Sequence, residues 1–431
     1  MQRVEVLIAG GGIIGTALAW ALARRGVGEV AVVDLDLRGL YASSELNAGG
    51  ARATWWQPVN IATCAATLRF FREHREEFGF REHGYLWLYD DQALFARARE
   101  KLALQNSFDL GVSVLAPSDV AARFPIVDRG LDELVGATFS PRDGLVNPNA
   151  VRSWYRSEAA SHGVRFLDHH YIEGVATRLV SGVAGEAQPA SHRAVDGVDI
   201  AEVRLGDPRD DDAVLREILT AHRIPPERRS GQTRVRCGQL VNCLGAWSPL
   251  LSAKLGIPDP TEPVRRQIAL CDVRRQDRPA AVDTDALGMI VDTSNVYFHP
   301  EGGRFLAGFS IPDEPPGYDF TYGGDAFFEQ YIWPRLAHRC SLFERCRHIG
   351  GWAGLYDVTP DRSGIAGPVA GFTNLFEAHS FTGRGVMQSH GIAIAMAELI
   401  HSGRFGDLDL SSLRRSRFGD PTQLVPEDLH I

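Results

Sequence analysis

Apolar positions recur along the chain in two rhythms. Val4–Ile8 is a short apolar run of buried-strand length, Ile13–Arg25 is an apolar, Ala-rich stretch of helical length that Gly26 can end, and Glu29–Val33 reads as a second strand. Strand, helix and strand with short connections predict a parallel sheet. Ile61–Phe78 and Pro148–His162 carry helical spacing, the second with Asn147 or Asn149 as a cap. Gly84–Tyr89 alternates like a strand, Gln92–Asn106 is a charged amphipathic helix, and Ser118–Arg123 opens a short one. Val164–Leu167, Gly174–Leu179 and Val235–Asn242 predict strands, followed by Ile268–Val273, Gly288–Val291 and Val296–His299. Asp325–Arg339 predicts a helix with Phe328, Tyr331 and Ile332 on one face. Leu375–Ala378 is a late strand and Val386–Ile400 a long apolar helix. Residues 181–233 interrupt this pattern with Gly, Pro, Asp and Arg clusters. They read as a solvent-exposed insertion carrying a surface helix over Ala213–His222.

The chain has 431 residues, enough for two or three domains at roughly 150 residues each. Hydrophobic residues make up 44% and charged residues 23%, which excludes a disordered chain. No window approaches the ~18 consecutive apolar residues of a spanning helix. A net charge of −9 argues against a nucleic-acid partner. Of 45 basic residues only Lys101 and Lys254 are lysines, so almost no catalytic lysine is on offer. The six cysteines, Cys64, Cys237, Cys243, Cys271, Cys340 and Cys346, form no C-x-x-C pair. Buried free thiols are expected, rather than a zinc site or a redox dithiol. That suits a reducing, cytoplasmic setting, and the run Val4–Ala9 passes into glycines instead of a signal-peptide pattern.

Those glycines are the sharpest motif. Gly10, Gly12 and Gly15 fit G-x-G-x-x-G directly after a strand and at the opening of a helix. There the first glycine allows the tight turn, the second lets backbone approach a pyrophosphate, and the third lets helix and strand pack closely. Free N–H groups at the helix start hold phosphate. Asp34, at the end of the next strand, is placed to accept from an adenosine ribose. A second glycine turn, Thr382-Gly383-Arg384-Gly385, again joins a strand to an apolar helix. A second helix N-terminus suits a flavin, because it stabilises negative charge on the reduced ring.

These residues resemble the glycine/D-amino-acid oxidase and sarcosine oxidase superfamily of FAD-dependent oxidoreductases. Ser43-Ser44-Glu45-Leu46-Asn47-Ala48-Gly49-Gly50 resembles the loop that wraps diphosphate and flavin, and Asp143-Gly144-Leu145-Val146-Asn147-Pro148 its D-G-x-x-x-P segment. Val241 to Ser248 resembles the second dinucleotide motif. Gly351 to Asp361 and Phe381 to Gln388 resemble the two C-terminal flavin motifs. Asp292 to Phe298, Phe327-Phe328-Glu329 with Trp333-Pro334, and Gly403-Arg404-Phe405 resemble one branch in particular, the mitochondrial FAD-dependent oxidoreductase domain-containing protein linked to complex I assembly. The resemblance covers nearly the whole chain outside 181–233. It implies an α/β fold, a Rossmann-like FAD-binding domain of the GR2 type interleaved with a mixed-sheet substrate domain. Residues 1–85, 145–260 and 345–431 would form the first, and 86–144 and 261–344 the second.

Together the motif and the resemblance put FAD on Gly10, Gly12, Ile13, Ile14 and Gly15; on Asp34 and Leu35; and on Ser43, Ser44, Asn47, Ala48, Gly49 and Gly50. Val175 follows, then Cys243, Leu244, Gly245 and Trp247, then Gly354 and Leu355, and finally Thr382, Gly383, Arg384, Gly385, Val386 and Met387. No metal is expected. Departures matter as much. Tyr41–Asn60 holds no His, where some relatives attach flavin covalently, and Ala353-Gly354-Leu355 has no Cys, so FAD is expected to be noncovalent. Arg304–Phe309 holds no lysine, where relatives place the one that promotes oxygen reaction.

Arg52, Arg384, Tyr297 and His299 are the substrate-site candidates. An Arg fork suits a substrate carboxylate, and Tyr297 and His299 share one face of a strand. Trp55, Trp56 and Trp352 offer a wall for an amine. The expected activity is hydride transfer from the C–N bond of an amino acid or secondary amine to flavin, by a dehydrogenase passing electrons to a quinone or partner protein rather than to oxygen. The alternatives are a 2-hydroxy-acid dehydrogenase and a flavin-binding assembly or interaction subunit.

Overall fold

The strand Gln2–Ala9 is apolar on both faces from Val6 onward, and Val4, Val6, Leu7 and Ile8 are all buried, so it sits inside a sheet rather than at its edge. It pairs in parallel with Val30–Val33 on one side and Arg229–Asn242 on the other. Arg165–Leu167 and Leu375–His379 extend the sheet, also in parallel, and Ile365–Pro368 adds an antiparallel edge. The helix Ile13–Arg24 packs against Pro148–Ser161 and Gly385–Ser402, which is why it is buried continuously from Ile13 to Leu22.

The computed structural model describes residues 2–180, 192–206, 208–274, 278 and 283–428. The chain divides into two compact units: Met1–Glu45, Pro148–Pro263 and Tyr356–Pro426 form the first, and Leu46–Asn147, Val264–Leu355 and Glu427–Ile431 the second. A Rossmann-like unit is thus interleaved along the chain with a mixed-sheet unit, the α/β architecture expected. Residues 46–85 are not in the first unit, where they were expected. They join the second because Tyr85–Tyr89 is an inner strand of the second sheet, between Met289–Asp292 and Gly136–Ser140. Gly50–Ala51 also pairs with Gly144–Leu145. The buried Glu427 accepts from the Trp56 and Gln57 amides and the Asn60 side chain, which draws the last residues into the same unit.

Residues 181–191 and 207 of the expected insertion lie outside the described residues. The rest builds into the first unit. His192–Val203 pairs with both His170–Val180 and Arg229–Asn242. The helix Pro208–Ala221 buries Val214, Leu215 and Ile218 against Leu35, Ala201 and Val203. Its polar flanks hid a real apolar stripe.

The second sheet runs, in spatial order, Arg347–Val358, Glu262–Asp272, Arg304–Phe309, Val296–Glu301, Met289–Asp292, Tyr85–Tyr89, Gly136–Ser140 and Ser113–Leu115. Its strands alternate in face. Leu86, Leu88, Ile290, Phe298 and Ala307 point into one core. Tyr85, Trp87, Tyr89, Met289 and Val291 point the other way, with Trp56. The helix predicted over Asp325–Arg339 is broken into Gly324–Phe327, a wide π turn Phe328–Ile332, and Trp333–Arg339. Pro334 explains the break, since it has no N–H to donate back into the preceding turn.

Candidate functional site

In the first unit the glycine motif forms the turn its spacing promised. Gly10 has a φ of 106°, and a Cβ there would lie 2.4 Å from the Cys243 carbonyl oxygen. At Gly15 a Cβ would lie 1.9 Å from the Gly10 carbonyl oxygen, so helix and strand touch through glycine. Gly12 is different. Its nearest neighbour to a Cβ is Ser44 Oγ at 4.0 Å, and Ser44 Oγ is buried without a hydrogen-bond partner. A glycine beside open space, an orphaned hydroxyl, and a helix start with no side-chain cap and no acidic residue in its first turn together make a cradle for phosphate. The N–H groups of Ile13, Ile14 and Gly15 begin that helix.

Asp34 accepts from the Gly11 amide at 2.5 Å and the Asp36 amide at 2.9 Å. Burial pushes its carboxyl up, against the pull of these two amides. A carboxylate offers about four acceptor sites, so two remain for a ribose. Arg152 joins the site without having been among the expected residues. It is buried on Pro148–Ser161, donates to the carbonyls of Leu37 at 2.8 Å and Arg38 at 2.6 Å, and is ion-paired with Glu45. It thereby ties the segment after Asp34 to the loop holding Ser43 and Ser44. The available signal was a charge among the buried positions Val151, Tyr155 and Ala159 of one helix face.

Leu35 and half-buried Val175 pack in the cores of this unit. The Cys243 amide donates to Ala9, and burial pushes its thiol up, so it is an inert wall beside Leu244 and Gly245. Trp247 donates to the Leu219 carbonyl at 2.9 Å, which gives its indole a structural task. The second glycine turn is also here. Thr382 has a φ of 49° and Gly383 of 77°, and the Thr382 amide donates to Asp357 at 3.1 Å. Arg384 is buried, 1% exposed, at the cap of Gly385–Ser402, whose first turn holds Val386 and Met387. A Cβ on Gly385 would lie 3.9 Å from Ile13. The two helix N-termini therefore converge within one unit, which suits a dinucleotide.

In the second unit the flavin loop continues through Asn47, Ala48, Gly49 and Gly50. Gly49 has a φ of 78° and donates to Asn47 Oδ1 at 2.7 Å. Gly354 faces Leu46, with 3.0 Å between a Cβ there and the Leu46 side chain, ahead of buried Leu355. Trp352 donates to the Leu46 carbonyl at 2.9 Å. Arg52 is 5% exposed, with its guanidinium carbon 3.4 Å from the Trp55 ring and 4.7 Å from Trp87, and donates to the Thr54 carbonyl at 2.9 Å. Asp143 holds this loop through the Ala53 amide and the Thr54 hydroxyl, both at 2.7 Å. Burial raises its carboxyl above the usual range, with those bonds opposing.

Two expectations change. His299 is 1% exposed, and its ring nitrogens lie 2.8 Å from the Ala48 carbonyl and 2.9 Å from that of Pro300. Burial holds it below the usual imidazole value. Both nitrogens face backbone carbonyls, and a neutral ring donates to one of them, which fixes His299 against the flavin loop. Tyr297 shares its face but lies over Gly308, where a Cβ would come within 2.2 Å of the ring. Of the three tryptophans, Trp55 alone stacks on Arg52; Trp56 faces Arg97 and Lys101, and Trp352 anchors Leu46. No helix among the described residues is long and apolar enough to cross a membrane.

Residues 5–399 match the DAO family, described as FAD dependent oxidoreductase. FAD-dependent oxidoreductase domain-containing protein 1 of Xenopus laevis is 27% identical over 457 residues, covering 99% of this chain and 85% of that protein. The mitochondrial sarcosine dehydrogenase of Mus musculus is 22% identical over 453 residues, covering 100% of this chain and 43% of that protein. Among solved structures, the L-proline dehydrogenase from P. horikoshii superposes with a TM-score of 0.78 at 21% identity, covering 97% of this chain and 98% of that one.

Proposed function

As a member of the DAO family of FAD-dependent oxidoreductases, the protein has FAD as its cofactor, and we propose that it oxidises the C–N bond of a secondary or primary amino acid, as a dehydrogenase. The observation that carries this reading is Arg52. A guanidinium stacked on Trp55 and beside Trp87 is a fixed positive charge in an aromatic setting, and it suits the carboxylate of an amino acid better than a simple amine. The names of relatives agree, since sarcosine and L-proline are both secondary amino acids.

Bound FAD supplies the hydride acceptor for the carbon next to nitrogen. The residues of the first unit that would hold it are Gly12, Ser44 and the first turn of Ile13–Arg24 at the phosphates, Asp34 at the ribose, and the Gly383–Gly385 turn at the ring. Arg52 orients the substrate through its carboxylate. Tyr85, Trp87 and Tyr89 give the apolar face that excludes water. The amine has to be uncharged to release hydride, and the imine product hydrolyses in water without help from the chain. Only Lys101 and Lys254 are lysines, which favours an electron acceptor other than oxygen.

The test is anaerobic bleaching of the flavin by N-methyl, D- and L-amino acids, L-proline and 2-hydroxy acids. Secondary amino acids are expected to bleach it. Arg52→Ala, compared at equal FAD content, should raise the half-bleaching concentration about 10- to 100-fold, the worth of a charge-assisted hydrogen bond. Bleaching by hydroxy acids alone would move the activity to a C–O bond. No bleaching by any compound would leave a flavin-binding assembly or interaction subunit.

A further inference from the structure

Arg52 is set in place by the loop of residues 52–57, and packing alone does not fix that loop. A cavity borders it, lined by Thr54, Trp56, Trp87, Tyr89 and Gln105 among others. Trp56 and Trp87 are each 3% exposed, yet their indole N–H groups find no hydrogen-bond partner among the described residues. Side chains with free space on one side lose the contacts that would lock them. Polar pins supply what packing leaves out. Asp143 takes the Ala53 amide and the Thr54 hydroxyl at the start of the loop. Trp55 Nε1 donates to the Arg52 carbonyl at 3.1 Å, and Gln105 donates to the Trp55 carbonyl at 3.1 Å.

The pin at the end of the loop is Glu427, 371 residues further along the chain than Trp56. It is 0% exposed, and its carboxylate accepts from the Trp56 amide at 2.9 Å, the Gln57 amide at 3.0 Å and Asn60 Nδ2 at 3.1 Å. These donors stand at the start of Pro58–Glu73, a helix whose N-cap, Gln57, makes no side-chain cap bond and whose first turn has no acidic residue. A carboxylate at that end is favoured by the helix dipole, and its bonds to N–H donors offset the cost of burying its charge. Asp428, the next residue, is ion-paired with Arg97, whose guanidinium carbon lies 4.9 Å from the Trp56 ring. The segment that brings Glu427 is thus anchored on both sides of Trp56.

We propose that Glu427 is a positioning residue for the substrate carboxylate: it fixes Trp56 and Gln57, and through them keeps Trp55 and Arg52 stacked. This role rests on Arg52 as the group that meets the carboxylate. Asp143 and Glu427 hold the two ends of the loop, so losing either leaves the guanidinium free to wander from the direction in which it meets its partner.

The test titrates the FAD-loaded wild type, Glu427→Ala, Glu427→Gln and Arg52→Ala with acetate, a carboxylate that gives flavin no hydride. Half-saturation is read from the shift in flavin absorbance at equal FAD content, and amide exchange over residues 52–57 by mass spectrometry. Glu427→Ala should raise the half-saturation concentration about tenfold, and its Trp56 and Gln57 amides should exchange about tenfold faster or more. Glu427→Gln, which keeps one acceptor oxygen, should fall between it and wild type. Wild-type half-saturation in Glu427→Ala, beside weakened binding in Arg52→Ala, would overturn the role of Glu427 and leave Arg52 in place. Wild-type binding in Arg52→Ala, or no shift in any sample, would instead remove Arg52 from the carboxylate and the role of Glu427 with it. Where the alanine variant does not fold, the glutamine variant decides: unchanged half-saturation and unchanged exchange at Trp56 and Gln57 overturn the proposal.

Discussion

Gly10, Gly12 and Gly15 share a motif but need glycine for different reasons. Gly10 needs it for a left-handed φ of 106° and Gly15 for contact with the Gly10 carbonyl. At Gly12 the φ is −67° and no protein atom stands closer than 4.0 Å to a Cβ, so the fold itself does not exclude a side chain. Gly12→Val should therefore melt within about 1 kcal/mol of wild type yet purify colourless, because the side chain fills the phosphate cradle. Gly10→Ala should lose on the order of 2 kcal/mol or more, from strain and the clash with Cys243. Circular-dichroism melting and flavin absorbance measure both. Full flavin occupancy in Gly12→Val would remove the cradle from the site. The motif was legible as spacing; which glycine serves the ligand and which serve the fold needed the neighbours.

The segment Leu375–His379, the turn after it and the C-terminal tail act as one element. Ser380 and Thr382 take left-handed angles of 62° and 49° that non-glycine residues hold only under constraint. The constraint is a buried polar cluster. Arg415 pairs with Asp259 and Glu377, His379 lies 2.6 Å from Ser380 Oγ, and Thr261 meets Ser380 at 2.6 Å. Burial opposes the charge on Asp259, but His379, Arg415 and the hydroxyls of Thr261 and Ser252 outweigh it and lower its carboxyl to about 2. Glu377 is lowered for like reasons. A depressed folded-state value means that this stability is present above the unfolded value near 4 and is lost as pH falls toward 2, about 2 kcal/mol for Asp259 alone. Arg415→Ala should cost about 3–5 kcal/mol at neutral pH by stranding buried carboxylates. Denaturant melts should then show that variant regaining ground on wild type as the pH drops through that window. An unchanged gap between pH 7 and 3 would show that the cluster does not carry the acid sensitivity. No sequence pattern pointed to Arg415, because its partners come from two distant segments.

At the scale of the whole molecule, the binding of flavin and the fate of its electrons both follow from residues that are missing. Tyr41–Asn60 contains no histidine, and no cysteine stands in Ala353-Gly354-Leu355. Acid precipitation should therefore release all the FAD to the supernatant; yellow pellets would show a covalent link. Oxygen reacts fast with reduced flavin where a positive charge stabilises developing superoxide, and one such group is worth about 10²–10³ in rate. Without a lysine in Arg304–Phe309, stopped-flow reoxidation by aerated buffer should run about a hundredfold below that of true oxidases. Fast reoxidation with stoichiometric peroxide would mean that Arg52 or Arg384 substitutes for the lysine.

The sequence by itself determined the Rossmann-like start, the FAD cofactor and most of the strands and helices, because those depend on period, glycine spacing and residues close in the chain. Only the tertiary structure decided what depends on distant segments meeting. Residues 46–85 joined the second unit through strand pairing, and the described residues of 192–233 joined the first through strand pairing and a buried helix face. His299 became an anchor because Ala48 sits against it. Arg152 acquired its role from carbonyls more than a hundred residues away in the chain. Local patterns specify elements. Contact between side chains on different elements is set by how the sheets order their strands, and the sequence carries no short-range record of that order.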